Sequence, residues 1–120
     1  MGLFKAIKTA KTMARAKDAA PEAWNAGEAI ATKYIDDFSH QPEDLDAIVN
    51  GESNLDFLVM IGRNPEARHR LIMQILQKDI LPNVAPGKTE AEIEALCFGF
   101  GVMVDTLTTK LAEGVARGSL

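Results

Sequence analysis

Pro86-Gly87-Lys88-Thr89 contains Gly-Lys-Thr, the closing triplet of a phosphate-binding loop. In such a loop glycine amides cradle phosphate, the lysine reaches the terminal phosphates and the hydroxyl holds magnesium. That chemistry also needs a glycine at position 82 and a strand before the loop. Position 82 is proline, and the segment before it has helical spacing. The four residues therefore read as a turn ending in Thr89 as a helix N-cap. Cys97 lies in the apolar stretch Leu96 to Val104, where a thiol acts as a small hydrophobe and not as an activated nucleophile. A single cysteine excludes an internal disulfide and a Cys-cluster zinc site, and it suits a reducing, cytoplasmic compartment. His40 and His69 are the only histidines, and neither has a ligand-type partner at i, i+4.

Two charged clusters remain. Asp36, Asp37, Glu43, Asp44 and Asp46 gather around one loop without the Asp-x-Asp-x-Asp-Gly pattern of a calcium site, so they read as an acidic patch for protein docking. Arg63, Arg68 and Arg70, with His69, surround a helix start and are candidates for contact with an anion. A solvated face with local salt bridges is the plainer reading, because Glu66 sits among them and Arg68 and Arg70 point to different helix faces. No pattern implies catalysis, a metal or a cofactor, and the chain reads as a non-enzyme.

The 120 residues carry a net charge of −4, but the charge is unevenly placed. Residues 1–17 hold Lys5, Lys8, Lys11, Arg15 and Lys17 and no acid, whereas 18–120 are acidic. This divides the chain into a basic arm, 1–17, and an acidic helical domain, 18–120. An acidic body repels phosphate, which disfavours nucleic acid as a partner. The longest uninterrupted apolar run, Leu96 to Val104, is nine residues, short of a bilayer span.

The spacing that must position these residues is helical throughout, so the fold class is all-α, a small bundle of five or six helices. In the first helix, 3–17, Leu3, Ile7, Ala10 and Ala14 share a narrow sector with Ala6 and Met13 on its shoulder; Lys5, Lys8 and Arg15 point elsewhere, Lys11 flanks the stripe and Phe4 sits off it. Ala20-Pro21 interrupts it and starts a helix to about 38, with Trp24, Gly27, Ala31, Tyr34, Ile35 and Phe38 on one side. A short helix over 42–49 follows. Ser53 and Asp56 cap another through about Ile61, and Asn64-Pro65-Glu66 opens the next, which Pro82 should close. Thr89 and Glu92 cap the last, running to Gly118, with Gly99 and Gly101 allowing close helix approach. The expected core is Trp24, Ile35, Phe38, Leu58, Leu71, Ile75, Phe100, Val104 and Leu107. The basic helix, poor in apolar area, should lie on the outside of the domain or project from it.

The opening Met1-Gly2-Leu3-Phe4 and the basic amphipathic helix after it resemble the membrane-binding start of the phage-shock protein A family. The likeness covers the arm alone. Lys5 stands where that family commonly has an acid, and the long coiled-coil hairpin that follows in the family is missing. The resemblance implies a first helix that lies on anionic membrane. Ala6 occupies the position where N-myristoylation wants Ser or Thr.

Two functions follow from the charge division. In one, the protein is an adaptor attached to an anionic membrane or a larger assembly through Leu3, Phe4, Lys5, Ile7, Lys8, Lys11 and Arg15. In the other it is a soluble acidic protein-binding module, such as an inhibitor, an accessory subunit or a phage-type host-takeover protein, whose first helix only packs on the body. The expected partners are a protein, an anionic membrane or a second copy of the chain, with the protein in the cytoplasm or at the membrane surface.

Overall fold

A computed structural model describes the backbone of residues 2–40 and 53–116 and the side chains of 11–40 and 53–115. The described residues are helices and short connectors, so the chain is all-α. Their order is α1 (Gly2–Ala19), α2 (Pro21–Ser39), α3 (Asn54–Arg63), α4 (Pro65–Ile75), a π-helical turn (Leu76–Ile80), α5 (Leu81–Val84) and α6 (Glu90–Ala116). The expected helix over 42–49, and the end of the last helix at Gly118, lie outside the described residues.

Local chemistry sets most boundaries. Pro21 forces Ala20 out of the helical region, to φ −146° and ψ 69°, and itself occupies the first turn of α2. The Ser53 hydroxyl accepts from the Asp56 N–H at 3.1 Å while the Asp56 carboxylate accepts from the Ser53 N–H at 3.3 Å, a closed capping box. Asn54 Nδ2 donates to the Phe38 carbonyl at 3.0 Å, tying the start of α3 to the end of α2. The Asn64 side chain accepts from the Ala67 N–H at 3.1 Å. Thr89 and Glu92 close a second box before α6, with contacts of 3.1 and 3.2 Å. Hydrogen bonds from Thr89 hold the Glu92 carboxyl below its ordinary value.

Pro82 does not end its helix. The backbone widens into the π turn, where the Leu81 N–H reaches the Leu76 carbonyl, and continues helically to Val84. A proline removes one i→i−4 bond and presses on the carbonyl four residues back. The wider turn just before it takes up that misfit, and Asn83 Nδ2 donates to the Asp79 carbonyl at 2.9 Å. Burial of Leu76 and Ile80 holds the turn against the core.

α6 is the central helix. It packs against α1, α2, α3 and α4, and Leu96, Phe100 and Val104 on it are shut away from solvent. By length and composition, the stretch Glu90–Val115 is long and apolar enough to cross a membrane, which counting uninterrupted apolar residues did not anticipate. The α2–α6 contact is backbone on backbone. A Cβ on Gly27 would collide with the Leu96 carbonyl, and one on Gly99 with the Trp24 carbonyl. Ala31 and Ala95, both with 0% exposure, continue the close approach. Gly62 makes the same accommodation between α3 and the Thr108 carbonyl of α6. Gly101, expected to act like Gly99, does not: its Cβ would lie at an ordinary 3.6 Å from Ile72 Cγ2.

Of the expected core, Trp24, Ile35, Leu58, Ile75, Phe100 and Val104 are buried, and Phe38, Leu71 and Leu107 are half-buried against them. The first helix is less detached than its composition implied. Ala16 is buried in the core cluster, Met13 is half-buried against it, and Lys17 lies over the Trp24 ring at 5.6 Å. Lys11, Ala14 and Arg15 face solvent. Ala14, expected on the apolar stripe, faces solvent instead, and the described part of α1 meets the core through Met13 and Ala16. Leu3 and Ile7 lie outside the described side chains. Phe100→Ala, which opens a cavity at the fully enclosed centre, is expected to cost about 3–5 kcal/mol in urea unfolding.

Candidate functional site

The cation that sequence placed on a surface patch, Arg68, is spent inside the fold. Its guanidinium pairs with Asp105 of α6 at 2.6 Å and donates to the Ile61 and Gly62 carbonyls at 3.3 and 3.1 Å. Both carbonyls lie in the last turn of α3, where the Ile61 carbonyl also accepts from the Asn64 N–H at 3.3 Å, so one side chain of α4 adds a cap to α3 and fastens both to α6. Arg63 and Arg70 remain exposed, as does His69. The anion patch suggested by Arg63, Arg68 and Arg70 is therefore reduced, at its centre, to a structural ion pair.

The acidic patch is only partly within the described residues. Asp36 and Asp37 are exposed at the end of α2, whereas Glu43, Asp44 and Asp46 lie outside. Lys33 pairs with Asp37 at 2.9 Å, and His40 Nδ1 lies 3.5 Å from Asp36 Oδ1. Such exposed i, i+4 pairs stabilise little. Close by, Ile35, Asp36, Ser39, Leu55, Leu107 and Leu111 line a groove of about 420 Å³. Leu55, Phe57 and Met60 of α3 are exposed, at 42%, 37% and 44%. Of the arm, Lys11 and Arg15 are exposed on α1, and the side chains of Leu3, Phe4, Lys5, Ile7 and Lys8 lie outside the described residues.

A feature that sequence reasoning missed is a groove of about 400 Å³ where α4 and α6 run antiparallel, with Met13 of α1 in its wall. Arg68 and Asp105 stand at one end of the pair and Ile72 meets Gly101 along it. Ile72, Met73, Leu76, Phe98 and Val102 make the lining mostly apolar. The absent side chain at Gly101 leaves part of this space, and only its helical register with Ile72 could have signalled it. Cys97 and His69 both line the groove. Burial pushes the Cys97 thiol up, away from the thiolate that nucleophilic chemistry requires. Tyr34, on α2, is also raised, by burial and by Asp79, to whose carboxylate its hydroxyl donates at 3.4 Å.

Comparisons with protein-family models, with curated proteins and with solved structures give no match. Arg68 and Asp105 make a directional test of the local account. Arg68→Ala removes a side-chain cap from the last turn of α3 and the ion-pair partner of Asp105, and is expected to cost about 1–3 kcal/mol. Asp105→Asn leaves the helix cap in place, and its carboxylate is half-exposed, so a loss under about 1 kcal/mol is expected from the same urea titration. Equal losses would show that the pair, and not the cap, is the main contribution.

Proposed function

We propose that this chain is a non-enzymatic helical adaptor: a small bundle of five or six helices, divided into a basic amphipathic arm, 1–17, and an acidic body, 18–120. The arm attaches the body to an anionic membrane surface. The observation that carries this reading is the charge division, five basic residues and no acid in 1–17 on a chain whose net charge is −4. Support comes from the described half of α1, where Ala16 and Met13 face the body while Lys11 and Arg15 face solvent. Each lysine near an anionic leaflet contributes about 1 kcal/mol, and the surface repels the acidic body. Attachment is therefore weak, oriented and salt-sensitive. The non-enzymatic part rests on the sequence, which brings together no catalytic constellation, and the protein is placed in the cytoplasm at the membrane surface.

A second reading, the acidic protein-binding module, draws on the exposed Leu55, which shares a groove with Asp36, and on the exposed Phe57 and Met60 of the same helix. Exposed apolar side chains rimmed by charge suit a basic protein partner.

Flotation of the full chain with vesicles separates the two. Binding to anionic vesicles, loss of binding in ~0.5 M salt, where the Debye length falls to about 4 Å, and loss in the triple variant Lys5→Glu, Lys8→Glu, Lys11→Glu are expected. Equal recovery of parent and variant with anionic and neutral vesicles would remove the membrane. The test would then pass to a basic partner and charge reversal at Asp36 and Asp37.

A further inference from the structure

α1 has two faces, and the body uses one of them. Ala16 is buried in the core cluster, with Thr12, Met13 and Ala20 half-buried beside it. At roughly 100° per residue these lie within about 60° of Ala16 around the helix. Ala14 lies about 160° from Ala16 and is exposed, so it points away from the body. α1 is one unbroken helix from Gly2 to Ala19, and this register carries back to its start. Leu3, Ile7 and Ala10 fall within about 40° of Ala14. The positions in register with Ala16 are instead Gly2, Lys5 and Thr9, which offer the core no large apolar side chain.

The charges around the outward sector fit it to an anionic bilayer. Lys11 and Arg15 are exposed on one flank of Ala14, at about 60° and 100°, and Lys8 falls in register with them. Lys17 is exposed on the other flank, at about 60°. Asp18, the first acid of the chain, follows Ala14 by one turn and ends the stripe. On a helix lying in a membrane surface the apolar stripe sinks and flanking lysines reach up to the headgroups. A protein groove asks for large anchors at successive turns. Here Leu3 and Ile7 are followed only by alanines, which favours shallow immersion in lipid over a protein groove.

We propose that α1 is bifacial: its Met13–Ala16 face stays seated on the body while the stripe Leu3, Ile7, Ala10 and Ala14 sinks into the headgroup boundary of an anionic bilayer. Lys8, Lys11 and Arg15 then meet lipid phosphates along one edge. The body is held above the membrane in one orientation, and α1 does not leave the fold to bind. This inference rests on the attachment proposed above and adds the face that meets lipid.

The experiment measures binding of the full chain to phosphatidylserine–phosphatidylcholine vesicles and to phosphatidylcholine alone, by flotation and by Trp24 emission. Ala14→Leu and Ala19→Leu add the same side chain at two exposed positions, the second about 140° from the first. Ala14→Leu is expected to bind the anionic vesicles about tenfold more tightly, and Ala19→Leu to match the parent. Ile7→Asp should weaken binding about tenfold or more and leave the thermal melt of the unbound protein unchanged. Trp24, the sole tryptophan, is buried with Lys17 over its ring, and its emission should not move on binding. Equal binding of the two leucine variants, a Trp24 shift as α1 lifts off, or an Ile7→Asp protein that melts early would overturn the bifacial arm and leave attachment standing. A parent that floats with neither vesicle would overturn both and pass the stripe to an acidic protein.

Discussion

Between Gly27 and Gly99 the backbones of α2 and α6 lie against each other with no side chain between them. Each glycine meets a carbonyl of the opposite helix, Leu96 for Gly27 and Trp24 for Gly99, and Ala31 and Ala95 extend the contact by a turn. Two glycines in helix interiors cost about 2 kcal/mol against alanine before any packing gain. That cost is offset because close approach lets the larger side chains beside the crossing, Trp24, Leu96 and Phe100, reach across and exclude water. Gly62 against Thr108 repeats the device between α3 and α6. Thr108 turns its own hydroxyl back to the Val104 carbonyl at 2.8 Å, so no polar group is stranded at that crossing.

The rest of the molecule follows from how α6 is used. With α2 and α3 seated on it through small residues, another sector is left for α4 and the end of α1. There the contacts are made by long side chains: Ile72 over Gly101, Arg68 to Asp105, Met13 in the groove wall. Long side chains hold helices further apart than glycines do, and the groove lies on that side. α1 is joined to this arrangement at its end, through Ala16 and the stacking of Lys17 on Trp24. A cation over an indole face contributes about 0.5–1 kcal/mol at an exposed site, a modest clamp on the arm. The charge division and the packing are thus connected, since Lys17 is one of the five basic residues of the arm and Trp24 belongs to the core.

Features that depend on a few neighbouring residues were legible in the sequence. Ser53 with Asp56, Asn64 with Ala67 and Thr89 with Glu92 close their hydrogen bonds within three residues, and each placed a helix start correctly. The Trp24-to-Phe38 spacing identified the face of α2 that is buried. Pro82 misled because burial of Leu76 and Ile80 outweighs a local breaker, and a π turn absorbs the lost register. Arg68 looked like a surface cation because its neighbours Glu66 and Arg70 are solvated, while its partners, the α3 carbonyls and Asp105, come together only in the tertiary fold. Gly99 and Gly101 are two residues apart in one apolar run, and nothing in that run says which of them faces a helix backbone. For the same reason the groove beside Gly101 was not legible, whereas the basic arm, a matter of counting charges, was.

That difference between neighbouring glycines is the sharpest test of the account. Urea unfolding of Gly99→Ala and Gly101→Ala, under one set of conditions, compares the same chemical change at the crossing and beside it. The account predicts that Gly101→Ala is neutral or gains up to about 1 kcal/mol, since alanine suits a helix and meets only Ile72 at 3.6 Å. It predicts that Gly99→Ala loses about 3 kcal/mol or more, because the new methyl group meets the Trp24 backbone and the two helices must separate. Equal changes in the two variants, or a Gly99→Ala protein as stable as its parent, would contradict it.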